Sequence, residues 1–389
     1  MRRIFTIMIA GAFLSGSVIP ALAQSVAPAD IKEIQTKGVK PLPVRAVGRV
    51  SETALPAPMP KGAVSYVHQW PAVYFEAAFT GDNVLLKFDD PLNEYRLFVD
   101  GGKPITIAQP GSGVFKVGGL SRQPHKLRLE KVTESINGVG AFQGFYINKG
   151  AKAGRSTPRK RQIEFIGDSG MAGYGVRSTK RECTKEEVRL LSDTQIAYPA
   201  LTAKHFNADY QVNAYSGRGI IRNYDGAEPG VTMPALYPFT LYDKSVSYAD
   251  PKWQPQIILV GLGGNDISTP LKKDEKWQST EQFAQDFMQS YAQFLGQLHV
   301  RSPGAALVIL WPISGDISDP EAAKYARLAQ DTLTAEAKRI GFRDFTLLTL
   351  KDLTLDTSAC DYHASIEDYQ KLTVWMTKFL ESKPELWGE

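Results

Sequence analysis

Glu164-Phe165-Ile166-Gly167-Asp168-Ser169-Gly170-Met171-Ala172-Gly173-Tyr174-Gly175 opens as an apolar, β-favouring run and breaks sharply at Gly167-Asp168-Ser169-Gly170. A buried strand that ends on so many turn-forming residues lifts the serine hydroxyl onto an exposed turn. An unassisted hydroxyl is a weak nucleophile at neutral pH and needs a neighbouring base. The chain holds five histidines: His68, His125, His205, His299 and His363. Only His363 has a carboxylate two residues before it, in Asp361-Tyr362-His363, with small polar residues around it. Ser169 and His363 are therefore expected as nucleophile and base.

Outward from Ser169, the sequence beyond Arg161 alternates strands with helices. Ile163–Ile166, Tyr210–Asn213, Ile257–Val260, Ala306–Trp311 and Phe345–Leu350 read as buried strands. Between them Phe283, Phe287, Met288, Tyr291, Phe294, Leu295 and Leu298 fall at helical spacing, and a second helical stretch runs from Pro320 to Ile340, with Gly341 placed to end it. Ser365-Ile366-Glu367-Asp368 has the form of a capping box and starts a last helix that turns Leu372, Met376 and Leu380 inward. Such alternation predicts an α/β domain over 162–389, a parallel sheet with helices on both faces.

Upstream the pattern is different. Val64–Val67, Val73–Phe79, Val84–Phe88, Tyr95–Val99, Ile105–Ile107, Val114–Val117, Lys126–Leu129 and Phe142–Ile147 are short apolar or alternating runs, punctuated by Gly81-Asp82-Asn83, Asp100-Gly101-Gly102 and Gly111-Ser112-Gly113. Many short strands at this spacing predict an all-β sandwich or jelly roll over 24–148. Residues 149–161 are glycine-containing and basic and read as a solvated linker.

Arg2-Arg3, an apolar stretch from Ile4 to Ile19 and Ala21-Leu22-Ala23 before Gln24 read as a signal peptide over 1–23, with an uncleaved membrane anchor as the alternative. A periplasmic or secreted protein without stable membrane insertion follows once that segment is removed. What remains carries 43 basic against 41 acidic side chains, too even a balance to suggest nucleic acid as a partner. Cys183 and Cys360 are the only cysteines. They flank the two candidate catalytic segments, so a fold that unites Ser169 with His363 brings them together in an oxidising compartment as a disulfide; two buried reduced thiols are the alternative.

Ligands of open parallel sheets collect beyond the carboxyl ends of the strands. Ser169 follows the first expected strand, Ser216-Gly217-Arg218-Gly219 the second, Gly263-Gly264-Asn265-Asp266 the third, and Asp361-Tyr362-His363 lies after the fifth. Acyl transfer needs N–H donors aimed at the developing oxyanion. The backbone N–H groups of Ser169 and Gly217 and the Asn265 side-chain amide are the candidates. His363 is then general base and later general acid, with Asp361 fixing its tautomer and a backbone carbonyl as the alternative orienting group. Trp311, Tyr174, Tyr224 and Tyr362 are aromatic residues able to stack on a sugar ring, and Tyr362 is singled out by position as a substrate contact.

These blocks resemble the SGNH (GDSL-type) hydrolases, with Ser169, Gly217, Asn265 and His363 at the four named positions. Phe165-Ile166-Gly167-Asp168-Ser169 with Gly173-Tyr174-Gly175, then Asn213 to Gly226, then Cys360-Asp361-Tyr362-His363, resemble carbohydrate esterase family 2 more specifically. The resemblance implies a flavodoxin-like three-layer SGNH domain behind an N-terminal jelly roll. It also implies removal of O-acetyl groups from polysaccharides such as xylan and glucomannan, with the primary 6-hydroxyl as the favoured position. Gly263-Gly264-Asn265-Asp266 departs from the more usual Gly-Thr-Asn-Asp.

Other chemistries lack their signatures. There is no His-Glu-x-x-His motif or cysteine cluster for zinc, and no Gly-Lys-Ser/Thr phosphate loop. Met171 breaks the Gly-x-Ser-x-Gly elbow of the α/β-hydrolases. A cofactor-free serine esterase is the resulting expectation. Its rivals are an SGNH esterase acting on acylated cell-wall or surface glycan, and a carbohydrate-binding protein with a degenerate hydrolase domain.

Overall fold

The computed structural model describes residues 25–28, 38–311, 320–350 and 353–388; the expected signal segment lies outside the described residues. Five strands form the parallel sheet: β1 (Arg161–Gly167), β2 (Ala208–Ala214), β3 (Ile257–Gly261), β4 (Ala306–Trp311) and β5 (Phe345–Thr349). Their spatial order is β2-β1-β3-β4-β5, every pair parallel. β2 and β4 are buried at every position, as continuous apolar runs must be when both faces of a sheet are covered.

Helices α1 (Tyr198–His205) and α4 (Ile366–Glu381) bring Tyr198, Ala200, Tyr369, Leu372, Met376 and Leu380 onto one face, against Ile163, Phe165, Val212 and Leu259. Helices α2 (Thr280–Arg301) and α3 (Pro320–Ile340) cover the other, where Phe287, Tyr291, Phe294, Leu298 and Leu333 meet Ile258, Val260, Leu307 and Ile309. The expected capping box forms at Ser365, whose hydroxyl accepts the Asp368 N–H while the Asp368 carboxylate accepts the Ser365 N–H, each at 3.1 Å. From β1 the chain crosses to β2 on one side and then returns to β3 on the other. In sheets of this kind ligands bind at such a reversal, beyond the carboxyl ends of the strands, and Ser169 follows the carboxyl end of β1 there.

The N-terminal region is a sandwich of two antiparallel sheets. One runs in the order Ser25–Pro28, Val114–Gly118, Val84–Asp89, Gly140–Asn148, Val64–His68, Val50–Ala54, with Val39–Pro41 also on Gly140–Asn148. The other runs Lys152–Ala153, Tyr74–Thr80, Pro124–Lys131, Glu94–Val99, Ile105–Ala108, with Arg45–Val47 on Tyr74–Thr80. Phe75, Leu86, Phe88, Leu97, Leu129, Phe142 and Phe145 fill the space between them. All eight runs expected as strands are strands here.

The basic stretch after Asn148 is largely exposed, as a linker should be, but it is held at two points. Lys152–Ala153 adds an edge strand to Tyr74–Thr80. Arg159 bonds Asp209 at the start of β2 and Glu76 of the sandwich, each at 2.8 Å. Arg45 bridges the same two carboxylates, and Tyr74 donates to Asp209 at 2.6 Å. Arg159 of this stretch thus meets buried acids on both modules, and the ion cluster it forms with Arg45 joins the sandwich to the parallel sheet.

Candidate active site

Asp168 caps the short helix Ser169–Ala172, its Oδ1 accepting the Gly170 N–H at 3.0 Å. The turn is tight enough to dictate its glycines. A Cβ on Gly167 would lie 2.5 Å from Met171 Sδ, and one on Gly173, at φ +73°, would lie 2.4 Å from the Asp193 carbonyl oxygen. Ser169 is left half-buried at the strand end. Gly217 adopts φ +80° in the loop after β2, with open space where a Cβ would stand. The backbone N–H groups of Ser169 and Gly217 find no acceptor among the described residues.

Asn265 reaches the same rim but is already engaged. Its Nδ2 donates to Asp168 Oδ2 and to the Arg218 carbonyl, both at 3.0 Å. An oxyanion would therefore have to share one of these hydrogens, a more constrained arrangement than the free donor expected from sequence. Gly263 takes φ +112° at the start of this turn, and Gly264 opens the short helix Gly264–Ile267. Asp266, buried beside Asn265, accepts the backbone N–H groups of Ile220, Ile221 and Arg222 at 2.9, 2.8 and 3.0 Å. The loop after β3 thus fixes the loop after β2. Burial pushes both Asp168 and Asp266 up to about 6.

His363 lies across the rim. Its Nδ1 is within hydrogen-bond distance of two backbone carbonyls, Cys360 at 2.9 Å and Asp361 at 3.1 Å. As those oxygens can only accept, Nδ1 carries the proton and Nε2 presents its lone pair. The Asp361 carboxylate does not hold the imidazole as expected; it accepts the Tyr174 hydroxyl at 2.7 Å. Positive φ at Asp361 (+51°) and Tyr362 (+60°) folds the backbone so that carbonyls, and not the side chain, face the ring. The Tyr174 ring packs on His363 at a centroid distance of 4.3 Å. Burial draws the His363 pKa below its ordinary 6.5, opposed by the two carbonyls and by the Asp361 charge.

Cys183 and Cys360 form a disulfide, with Cα atoms 5.4 Å apart. It joins the segment after the nucleophile turn to the residue whose carbonyl holds Nδ1. Gly175 fits against it, since a Cβ there would lie 2.7 Å from Cys360 Sγ. Tyr362 is 68% exposed beside His363, with the Arg181 guanidinium 4.8 Å over its ring. Tyr224 is also exposed, whereas Trp311 is buried in the core.

Three contributors escaped the sequence reading in addition to the role of Tyr174. Asp266 carried a signal in its place next to Asn265. Ser192 and Glu134 carried none. Ser192 Oγ accepts the Gly175 N–H at 2.9 Å and bonds the Glu134 carboxylate at 3.0 Å; Glu134 is fully buried and also bonds the Ser216 hydroxyl. Among the described residues no group of three His, Cys, Asp or Glu side chains is arranged to hold a metal. No described helix is long and apolar enough to cross a membrane.

Known proteins show the same combination. Residues 60–156 match the carbohydrate esterase 2 N-terminal family and residues 165–370 the GDSL-like lipase/acylhydrolase family. An acetylxylan esterase / glucomannan deacetylase of Cellvibrio japonicus is 41% identical over 348 residues, 90% of this chain and 93% of that protein. A solved carbohydrate esterase, described as having divergent catalytic and non-catalytic binding functions at its active site, superposes with a TM-score of 0.79 at 41% identity and covers 90% of this chain and 100% of its own. A family two carbohydrate esterase from Clostridium thermocellum in complex with cellohexaose superposes with a TM-score of 0.70 at 25% identity, over 88% of this chain and 100% of its own.

Proposed function

The chain belongs to carbohydrate esterase family 2, and from that premise we propose that it is an exported serine esterase removing O-acetyl groups from hemicellulose-type polysaccharide or oligosaccharide. What supports this reading most is a turn-borne serine after β1, two backbone N–H groups without an acceptor among the described residues, and a histidine whose Nδ1 faces two carbonyls on a loop tied to the nucleophile segment by Tyr174 and the Cys183–Cys360 disulfide. Ser169 Oγ attacks the acetyl carbonyl as His363 Nε2 takes its proton. The Ser169 and Gly217 N–H groups, with a shared hydrogen from Asn265, stabilise the tetrahedral oxyanion. Collapse breaks the ester C–O bond, and His363 returns the proton to the departing sugar oxygen. Water then attacks the acetyl-serine with the same base, releasing acetate. Neither cofactor nor metal takes part. The apolar, arginine-led N-terminus and the disulfide support a periplasmic or secreted location. Turnover of a chromogenic acetyl ester, compared with Ser169→Ala, tests the reading.

Only neutral imidazole can accept the serine proton, so activity is present above the His363 pKa and lost as pH falls through it. Because burial lowers that pKa, the acid limb of kcat/KM is expected to have its midpoint below 6.5. A pH–rate series that places the midpoint above 6.5 would contradict the environment described for this histidine.

For the substrate, acetate release is expected to be faster from acetylated glucomannan or a 6-O-acetyl hexoside than from acetyl xylan, whose pentoses lack the 6-hydroxyl. Family likeness alone supports the preference for the 6-hydroxyl, since the name of the 41% identical relative covers both acetylxylan and glucomannan. Positional NMR of acetate release reads it directly. Exclusive action on 2-O- and 3-O-acetyl xylose would overturn the preference and leave the ester chemistry standing.

A further inference from the structure

Glu134 belongs to the sandwich, in the turn between strands Pro124–Lys131 and Gly140–Asn148, yet its carboxylate ends beneath the catalytic rim. The turn is driven into the parallel-sheet domain. Thr133, Glu134 and Ser135 are all buried, the Ser135 hydroxyl donates to the Ala214 carbonyl at the end of β2 at 2.8 Å, and the Thr194 N–H bonds the Val132 carbonyl at 3.0 Å. Lys131 secures it from below, giving its ammonium hydrogens to the carbonyls of Gln69, Thr133 and Glu134 at 3.3, 2.8 and 3.2 Å. Those contacts are to backbone, so the Glu134 carboxylate has no direct ion-pair partner among the described residues.

A buried carboxylate is costly even with the Lys131 ammonium nearby, because that ammonium is hydrogen-bonded to backbone and not to the carboxylate, and an apolar residue of similar volume would serve packing alone better. Its hydrogen-bonding partners suggest why one is present. One oxygen bonds Ser216, the residue before Gly217, whose N–H is a proposed oxyanion donor. The other bonds Ser192, which holds the Gly175 N–H. Gly175 in turn packs on Cys360, whose carbonyl orients His363. A single carboxylate therefore touches the supports of both the oxyanion donor and the base.

We infer that Glu134 is a positioning residue for the esterase reaction, supplied by the sandwich and acting through Ser216 and Ser192 to set Gly217 and the His363 loop in register. The inference rests on the serine-esterase reading above. It gives the N-terminal module a part in turnover apart from any binding of polysaccharide.

Glu134→Gln, Ser216→Ala and the double variant, each in the full chain, test it against a chromogenic acetyl ester, with Ser169→Ala measured in parallel. Misplacing groups that act in the transition state lowers kcat and kcat/KM together, so each single variant is expected to lose about 10–100-fold in kcat with KM unchanged. The double variant should lose less than the product of the two single losses, because the Glu134–Ser216 contact is common to both variants. Wild-type kcat in the two singles, a loss confined to KM, or additive losses in the double variant would overturn the inference. If Glu134→Gln does not fold, Ser216→Ala decides alone, and wild-type kcat there overturns it. Retained activity in Ser169→Ala would instead defeat the esterase mechanism itself, which keeps the two failures apart.

Discussion

Ser169→Ala is expected to lower kcat on an acetyl ester by about 10⁴–10⁶-fold, the range seen when a serine hydrolase loses its nucleophile while its oxyanion donors and binding surface remain. Folding should hardly change. The side chain is half-buried on a turn, the helix cap is made by Asp168 and not by Ser169, and removing one hydroxyl at such a place alters stability by about 0.5 kcal/mol or less. Loss of turnover with an unchanged melting temperature is the pattern to look for. A fall in both would mean that the serine only supports the turn.

His363→Ala is expected to fall by a comparable factor, about 10⁴-fold or more, since without the base the serine keeps its proton. Asp361→Asn separates this site from a carboxylate-oriented triad. Where a carboxylate holds the imidazole, its replacement by the amide costs about 10⁴-fold through the wrong tautomer. Here the carbonyls of Cys360 and Asp361 hold Nδ1, and they survive the substitution. The asparagine oxygen can still accept the Tyr174 hydroxyl that the carboxylate now binds. A loss of less than about 10-fold in Asp361→Asn, far below the 10⁴-fold of a true triad carboxylate, is therefore expected beside a nearly inactive His363→Ala. Equal losses in the two would return the orienting role to the Asp361 side chain.

The five parallel strands were legible because residues such as Ile257 to Val260 and Ala306 to Trp311 are apolar without interruption, which a strand covered on both faces requires and a surface element cannot sustain. The sandwich was legible from short runs between glycine-containing turns. Ser169, Gly217 and Asn265 could be proposed from sequence because each lies a few residues beyond a strand end, and His363 because it lies in the loop that follows the last strand, where this architecture gathers its ligands. What stayed hidden depended on backbone direction or on partners distant in sequence. Spacing alone makes Asp361 a natural partner for His363, and only the left-handed backbone at Asp361 and Tyr362 turns the carboxylate away to Tyr174. In the basic run at 149–161, nothing in the sequence singles out Arg159 until Glu76 and Asp209 come from two different modules to meet it. Glu134 sits in a stretch whose pattern speaks only of a sandwich turn, and its place beneath Gly217 exists only once the two modules are docked.

The most direct measurement is intact-protein and peptide mass spectrometry of the protein quenched early in turnover of an acetyl ester. Hydrolysis through Ser169 predicts one acetyl group per chain, mapped to the peptide bearing Ser169, absent from Ser169→Ala and accumulating in a variant slow to deacylate. Full turnover with no acetylated species in any variant, or an acetyl group mapped to another residue and retained in Ser169→Ala, would contradict it.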